Sequence, residues 1–477
     1  MATFFIHNFG CRATQADASA ISFDLKGRGY AAAESDRAAD FVVLNTCTVT
    51  AAADAQARDA VRRIHRENPC ACIVVTGCYA QRAPEELAAL EGVSLVIGNS
   101  HQSALSSIIS SRAPDLISND PRADVVPLGR LTSSLHAARI FRGEAASIKE
   151  ILVAAPDATG SRTRPTLKIQ DGCNHRCSYC VIPLVRGRSR SLAPERVVAE
   201  IHRLIKAGAR EIVLSGIDLG SYGRDLASRT SLQELLRQIL NETSLERLRL
   251  SSIEPMDVTQ DFIEIIASSD RIAPHFHMPL QSGSDRILRA MHRWYRAAHY
   301  ARRVELIRER LPYAAIGADV ITGFPGETEE EHGVTMQFLE ELPLSYLHVF
   351  SFSPRPGTEA AMLGEHVSPS EIHRRARELR ALGQRKLAAF RAAQDGTTLR
   401  VLTLGRQGAD STEALSGNYL KLCVRGLWPR NEWLDVIFND RISALEAMPA
   451  EALAFQDDLR ERQISAVRDG KQDVFCS

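Results

Sequence analysis

A chain of 477 residues with 44% hydrophobic and 24% charged residues is too long for one ordinary domain and reads as a folded, multidomain protein, which excludes a disordered or fibrous one. Lysine plus arginine and aspartate plus glutamate both number 58, so there is no large basic field, and a nucleic-acid partner would have to be met by local patches. With no signal-peptide pattern and no apolar run of about eighteen residues, neither export nor a membrane span is expected. A cytoplasmic location follows, where the ten cysteines read as ligands, catalytic groups or buried small hydrophobes before disulfides.

In chain order, Phe4–Phe9 is a short apolar run, Gln15–Gly27 a helix, Asp40–Asn45 a buried strand and Ala52–Arg66 an Ala- and Arg-rich helix. Ile73–Thr76, Pro84–Leu90 and Leu95–Gly98 continue as strand, helix and strand. Short strands separated by helices imply a parallel sheet covered on both faces, with ligands at the carboxyl ends of its strands. Periodicity then weakens, and a second alternating series follows. Its strands are Leu167–Gln170, Ile212–Ser215, Leu248–Ser251, Pro274–Met278, Ile316–Ile321 and Tyr346–Ser351, the pattern of a partial or full β/α barrel. A long Arg-rich helix over Ser370–Ala393 precedes short strands at Leu399–Leu404, Tyr419–Val424 and Trp433–Phe438, which read as a small all-β module. The fold class is thus α/β multidomain. An N-terminal parallel α/β sandwich (1–120) is followed by a linker (121–160), a central partial TIM-type barrel (161–395), a small C-terminal β-barrel (396–448) and a tail (449–477).

Cys173, Cys177 and Cys180 lie in one tight loop directly after the first barrel strand, in the spacing Cys-x-x-x-Cys-x-x-Cys. Structural zinc wants four protein ligands, and no fourth cysteine or zinc-type histidine spacing follows; a zinc loop or buried packing cysteines are the bland alternatives. Three cysteines on a 4Fe-4S cluster leave one iron open. An open iron can chelate the amino and carboxylate groups of S-adenosylmethionine (SAM), whose reductive cleavage yields a 5′-deoxyadenosyl radical. Cys11, Cys47 and Cys78 each end a strand of the first sheet, so their thiols can converge on one rim and hold a second cluster; small core cysteines are the other reading. Cys70, Cys72, Cys423 and Cys476 carry no partner motif.

At these two triplets the chain resembles the radical-SAM methylthiotransferases over nearly its whole length. The resemblance rests on Asn8-Phe9-Gly10-Cys11, Asn45-Thr46-Cys47-Thr48-Val49, Thr76-Gly77-Cys78-Tyr79, His277-Met278-Pro279-Leu280-Gln281-Ser282-Gly283, Gly323-Phe324-Pro325-Gly326-Glu327-Thr328 and Phe352-Ser353-Pro354-Arg355-Pro356-Gly357-Thr358. Gln170-Asp171-Gly172-Cys173 and Gly10-Cys11-Arg12 with Gln15 look most like the MtaB type, although Thr14 stands where Asn commonly precedes the Gln. Relatives acting on isopentenyl-adenosine in tRNA or on a ribosomal-protein aspartate usually carry Glu-Gly-Cys there instead.

The resemblance implies a central radical-SAM barrel, a TRAM-like RNA-binding module around Gly417-Asn418-Tyr419-Leu420, two 4Fe-4S clusters and SAM. It implies transfer of a methylthio group to carbon 2 of threonylcarbamoyl-adenosine beside the tRNA anticodon (position 37). One SAM would methylate a sulfur at the N-terminal cluster, and a second would give the hydrogen-abstracting radical. Implied partners are tRNA, a reductase or flavodoxin-type electron donor and a sulfur donor, with no membrane. SAM would contact Ser215, Gly216, Asp218, Ser252, Glu254 and Gln281, each of which is otherwise an ordinary turn or strand-end residue. No separate acid–base pair is expected. Arg186, Arg188 and Arg190 read either as phosphate contacts at the active-site mouth or as a solvated loop. Lys421, Arg425 and Arg430 are candidate RNA contacts, and Tyr419 and Trp428 read either as base-stacking partners or as core packing. A non-catalytic iron–sulfur RNA-binding or electron-transfer protein is the alternative from another class.

Overall fold

Phe41-Val42-Val43-Leu44 is an unbroken apolar run, and in the computed structural model its alternate residues face opposite ways. Phe41 and Val43 join Phe4, Val74 and Ile97 on one side, while Val42 and Leu44 join Val61, Val75 and Val96 on the other. A strand buried on both faces belongs in a parallel sheet between helical layers. The structure describes residues 1–117, 138–153 and 163–447. Six parallel strands are ordered Ala31–Ala32, Thr3–Asn8, Phe41–Thr46, Cys72–Gly77, Val93–Gly98 and Arg139–Phe141. The sixth comes from the stretch read as a linker, of which 121–137 and 154–160 lie outside the described residues, as does the tail 449–477. Thr50 caps the helix Ala51–Glu67 by accepting from Ala53 N, satisfying one of its free N–H groups.

The second series forms six parallel strands, Thr166–Lys168, Glu211–Ser215, Arg247–Leu250, His275–His277, Ala315–Thr322 and Tyr346–Ser351. They pair as two three-stranded sheets joined by a parallel bridge between Leu248 and Ile272. Spatial order follows chain order, giving an open partial barrel. Ser231, Thr259, Ser284 and Thr328 each start the next helix by accepting from a backbone N–H in its first turn, so the strand-to-helix turns at the barrel mouth are capped.

The sheet and the barrel are joined through buried ion pairs. Asp17, on the helix Arg12–Gly27, is fully buried and pairs with Lys168 of the first barrel strand and with Arg186, 2.9 Å away. Asp171 completes the group, 2.9 Å from Lys168 and 3.0 Å from both Arg186 and Arg190. Burial opposes its charge, but Arg186, Lys168 and Arg190 hold the Asp171 carboxyl far below the usual range. A second joint puts Asp54 between Arg82, at 3.0 Å, and Arg355.

From Leu387 the chain forms a separate compact unit. Strands Thr398–Gln407, Ser411–Ser416, Lys421–Arg425 and Trp433–Ile437 make an antiparallel sheet. Leu445 bridges to Val424 and Ala447 to Val436, on the two opposite edges, so the sheet curls towards closure as a small barrel. The strand Ser411–Ser416 has no counterpart in the sequence pattern, because its inward Thr412 and Ala414 are too small or polar to stand out.

Replacing Asp17 by Ala removes one of the two carboxylates that face the buried Lys168 and Arg186, leaving Asp171 alone against three cations. We expect a loss of about 3–5 kcal/mol, measured by chemical denaturation; an effect below about 1 kcal/mol would mean that the joint is not formed in solution.

Candidate active site

Thr3–Asn8, Phe41–Thr46 and Cys72–Gly77 are neighbours in the sheet, with Asn8 opposite Asn45 and Asn45 opposite Thr76. Cys11, Cys47 and Cys78 follow these three strand ends and meet on one rim. Two glycines make the approach possible. Gly10 has φ +115°, and a Cβ there would lie 2.5 Å from the Cys47 Cβ; Gly77 has φ +98°, and a Cβ would lie 2.4 Å from the Thr46 carbonyl oxygen. Backbone and side-chain N–H groups point at the sulfurs: Val49 N donates to Cys47 Sγ at 3.5 Å and Asn99 Nδ2 to Cys78 Sγ at 3.5 Å. Burial pushes the Cys47 thiol up to about 12, and the neighbouring Cys78 and Cys11 push the same way. Burial likewise raises Cys78, against the opposing pull of Arg186 and Asn99.

Cys173, Cys177 and Cys180 sit in the loop after the Gln170–Asp171 strand. The loop is pinned by Cys173 N donating to Gly187 O at 3.1 Å and Ser178 Oγ to Ala290 O at 2.8 Å. His175 N donates to Cys173 Sγ at 3.4 Å, and Arg293 Nη1 to Cys177 Sγ at 3.1 Å. Burial raises the Cys173 and Cys180 thiols, the latter to about 12, with charge from the other loop cysteines adding to each. In both places three cysteines face one another, and burial disfavours the bare thiolates of Cys47, Cys78, Cys173 and Cys180. N–H donors lie beside them, and the positive charge of Arg186 and Arg293 offsets burial only in part. That donor set fits an iron–sulfur cluster, which brings its own cations and displaces the thiol protons. No disulfide joins any of these cysteines among the described residues. Cys72 packs in the sheet core, Cys70 is exposed and Cys423 lies in a strand of the small barrel.

The two triads are close in the fold, because Val181 and Val185, directly after Cys180, pack on Cys78. Asn99 ties the same region by donating to Val185 O at 2.9 Å. Beside them a cavity of about 180 Å³ is lined by Val49, Thr50, Tyr179, Cys180, Gln281, Asp319, Phe350 and Phe352, among others. It therefore touches the Cys47 turn and the Cys180 loop together.

Of the residues expected to meet SAM, Asp218 and Glu254 come nearest the barrel triad. Asp218 Oδ2 lies 4.0 Å from Cys173 Sγ and 3.3 Å from His175 Nε2, and its buried Oδ1 has no partner in the described structure. Glu254 pairs with Arg293, which also holds Cys177. Ser215 and Gly216 end their strand against Gln170, whose Oε1 accepts from Ile217 N at 2.9 Å and Asp218 N at 2.8 Å. Gln281 lines the cavity with φ +71°, a conformation uncommon for a side-chain-bearing residue. Ser252 is exposed. His175 stacks on Trp294 with ring centroids 6.1 Å apart.

One expectation needs correcting. Arg186 and Arg190 do not present their charge to a phosphate: Arg186 is buried between Asp17 and Asp171, and Arg190 pairs with Asp171. Only Arg188 of the three is exposed. Arg293 and Asn99 carry no local signal, because their partners Cys177 and Cys78 lie 116 and 21 positions away.

Residues 3–98 match the family described as Uncharacterized protein family UPF0004, and residues 167–339 match the Radical SAM superfamily. The chain is 36% identical over 417 residues to the threonylcarbamoyladenosine tRNA methylthiotransferase MtaB of Aquifex aeolicus, covering 87% of this chain and 95% of that protein. It is 34% identical over 417 residues to the tRNA-2-methylthio-N(6)-dimethylallyladenosine synthase of Thermobifida fusca, covering 85% and 78%. Among solved structures it is similar to the radical S-adenosylmethionine methyltransferase TsrM of Kitasatospora setae, with a TM-score of 0.54 at 16% identity over 76% of this chain and 77% of that one; the likeness is one of fold.

Gly10→Ala should strain the backbone by about 1–3 kcal/mol and press on Cys47, lowering the iron bound on anaerobic reconstitution. Gly364→Ala, where nothing lies within 4 Å, serves as the control and should change neither stability nor iron. Equal iron in the two variants would show that the rim does not need the close approach.

Proposed function

Because the chain belongs to the radical-SAM methylthiotransferase family, we propose that it transfers a methylthio group to carbon 2 of threonylcarbamoyl-adenosine beside the anticodon of tRNA, consuming two SAM. The observation that carries this reading is the pair of cysteine triads set on either side of the Val181–Val185 segment, with one cavity touching both loops. Cys173, Cys177 and Cys180 would hold one 4Fe-4S cluster, and Cys11, Cys47 and Cys78 the second. When bound, the first supplies one-electron cleavage of SAM, and the second supplies a place for the transferred sulfur.

The chain's own groups bind, orient and exclude water. Asp218 and Glu254 offer carboxylates to the polar parts of SAM beside the barrel triad, with Ser215, Gly216 and Gln281 at the strand ends; Ser252 is the exposed member of the set. Arg293 and the His175 backbone N–H donate to cluster sulfurs, which stabilises negative charge there. Tyr179, Phe350 and Phe352 give the cavity aromatic walls against which a base can stack. The small C-terminal barrel, with Lys421 and Arg425 exposed, is a surface for RNA backbone. A tRNA substrate supports a cytoplasmic location, and the chemistry calls for a flavodoxin-type or reductase electron donor and a separate sulfur donor. No helix of the described residues is long and apolar enough to cross a membrane.

Mass spectrometry of nucleosides from tRNA of a deletion strain tests the substrate. The 2-methylthio derivative of threonylcarbamoyl-adenosine should vanish, and should return with the wild-type chain but not with Cys173→Ala. If it persists while methylthio-isopentenyl-adenosine disappears, the reading suggested by the Thermobifida fusca relative replaces this one. Reconstituted wild type should carry about eight irons per chain, and alanine replacement of either triad about half.

A further inference from the structure

Three neighbouring barrel strands gather a further set of metal-type donors, none of them a cysteine. In the register of His275–His277, Ala315–Thr322 and Tyr346–Ser351, His277 lies opposite Gly317 and Gly317 opposite Tyr346. One step nearer the barrel mouth, Asp319 lies opposite His348. Residues two apart on a strand share a face, so His277, Asp319, Tyr346 and His348 gather on one side of the sheet.

The missing side chain at Gly317 shapes this cluster. A Cβ there would lie 2.1 Å from the Tyr346 ring, so only glycine lets that ring lie across the strand. Tyr346 Oη then sits 2.8 Å from His275 Nε2 and 3.0 Å from His277 Nδ1. With Nδ1 engaged, the His277 ring is fixed and its Nε2 is turned to Asp319 Oδ1 at 2.8 Å. Metal-binding histidines are held in this way, one ring nitrogen on an oxygen partner and the other on the ion. His348 Nδ1 approaches the same Asp319 oxygen at 3.4 Å, longer than a well-formed N–H···O bond. The His348 ring also packs 4.9 Å from His277 and 5.2 Å from Tyr346 between centroids, so both imidazoles close on the one carboxylate. The three donor atoms lie within 4.8 Å of one another.

We propose that His277, Asp319 and His348 bind a single divalent transition metal of the borderline class, zinc or ferrous iron. Two imidazoles and one carboxylate are the donor set that class prefers over the harder calcium or magnesium. Three protein ligands on a four-coordinate ion leave one position open. Asp319 lines the cavity that Cys180 also lines, so the open position is presented to an oxygen or nitrogen donor of whatever occupies that cavity. The site stands on these residues alone and does not depend on the identity of the tRNA substrate.

The test uses the full-length, cluster-loaded chain, so that the cysteine triads are already filled. After dialysis against zinc and then against metal-free buffer, elemental analysis should find about one zinc per chain beside the iron. X-ray absorption at the zinc edge should show nitrogen and oxygen at about 2.0–2.1 Å, with no sulfur shell near 2.3 Å. His348→Ala, at a half-exposed ring, and Asp319→Asn should each weaken zinc binding by at least about 100-fold while leaving the iron content unchanged. A sulfur shell, no retained zinc in wild type, or wild-type zinc binding in His348→Ala would each overturn the proposal. Those outcomes would leave the methylthiotransferase reading intact, since none of them bears on tRNA modification.

Discussion

The buried carboxylate of Asp17 joins the helix that Cys11 begins to the helix that follows Cys180. Its partners are Lys168, on the first barrel strand, and Arg186, at the end of the short helix Ile182–Arg186. The proposed methylthio transfer requires the two cysteine triads to be held in a fixed relation, and this ion cluster is where the sheet and the barrel are tied. Buried ion pairs seldom add net stability over an apolar contact. They do penalise any other docking, because a shift of the sheet against the barrel would strand several charges out of water. Asp54 between Arg82 and Arg355 repeats the device, and Ala51 N donating to Ser353 Oγ at 2.9 Å adds a third tie.

With that docking set, the local chemistry follows from strand ends. A parallel sheet brings the carboxyl ends of its strands to one rim, and the barrel does the same at its mouth. The fold therefore turns two rims towards a common region, with Val181 and Val185 packed on Cys78 between them. The cavity bounded by the Cys47 turn, the Cys180 loop and the inward residues of the last two barrel strands is the place where chemistry from both rims can meet.

Much of this was legible in the sequence. Unbroken apolar runs such as Phe41–Leu44 and strict strand–helix alternation are local signals, so the sheet, the barrel strands and the rim position of all six cysteines could be read directly. The arginines after the barrel loop misled, because their charge is cancelled by Asp17, 169 positions from Arg186, and no local pattern announces such a partner. Arg293 on Cys177, Asn99 on Cys78 and the Gly317-dependent tilt of Tyr346 were hidden for the same reason: their meaning lies in tertiary register. The Ser411–Ser416 strand was missed because its alternation is between small or polar residues, which carry little hydrophobic contrast.

The most direct test of the account is to count the products of SAM in a reaction of the reconstituted chain with reductant, a sulfide source and tRNA bearing threonylcarbamoyl-adenosine. If one triad serves radical formation and the other carries the sulfur, wild type should release S-adenosylhomocysteine and 5′-deoxyadenosine in equal amounts, one of each per methylthio group installed. The chain with Cys11, Cys47 and Cys78 all replaced by Ala should still give 5′-deoxyadenosine but no methylthiolated base. Methylthiolated base from that variant, or wild type that modifies tRNA without releasing 5′-deoxyadenosine, would contradict it.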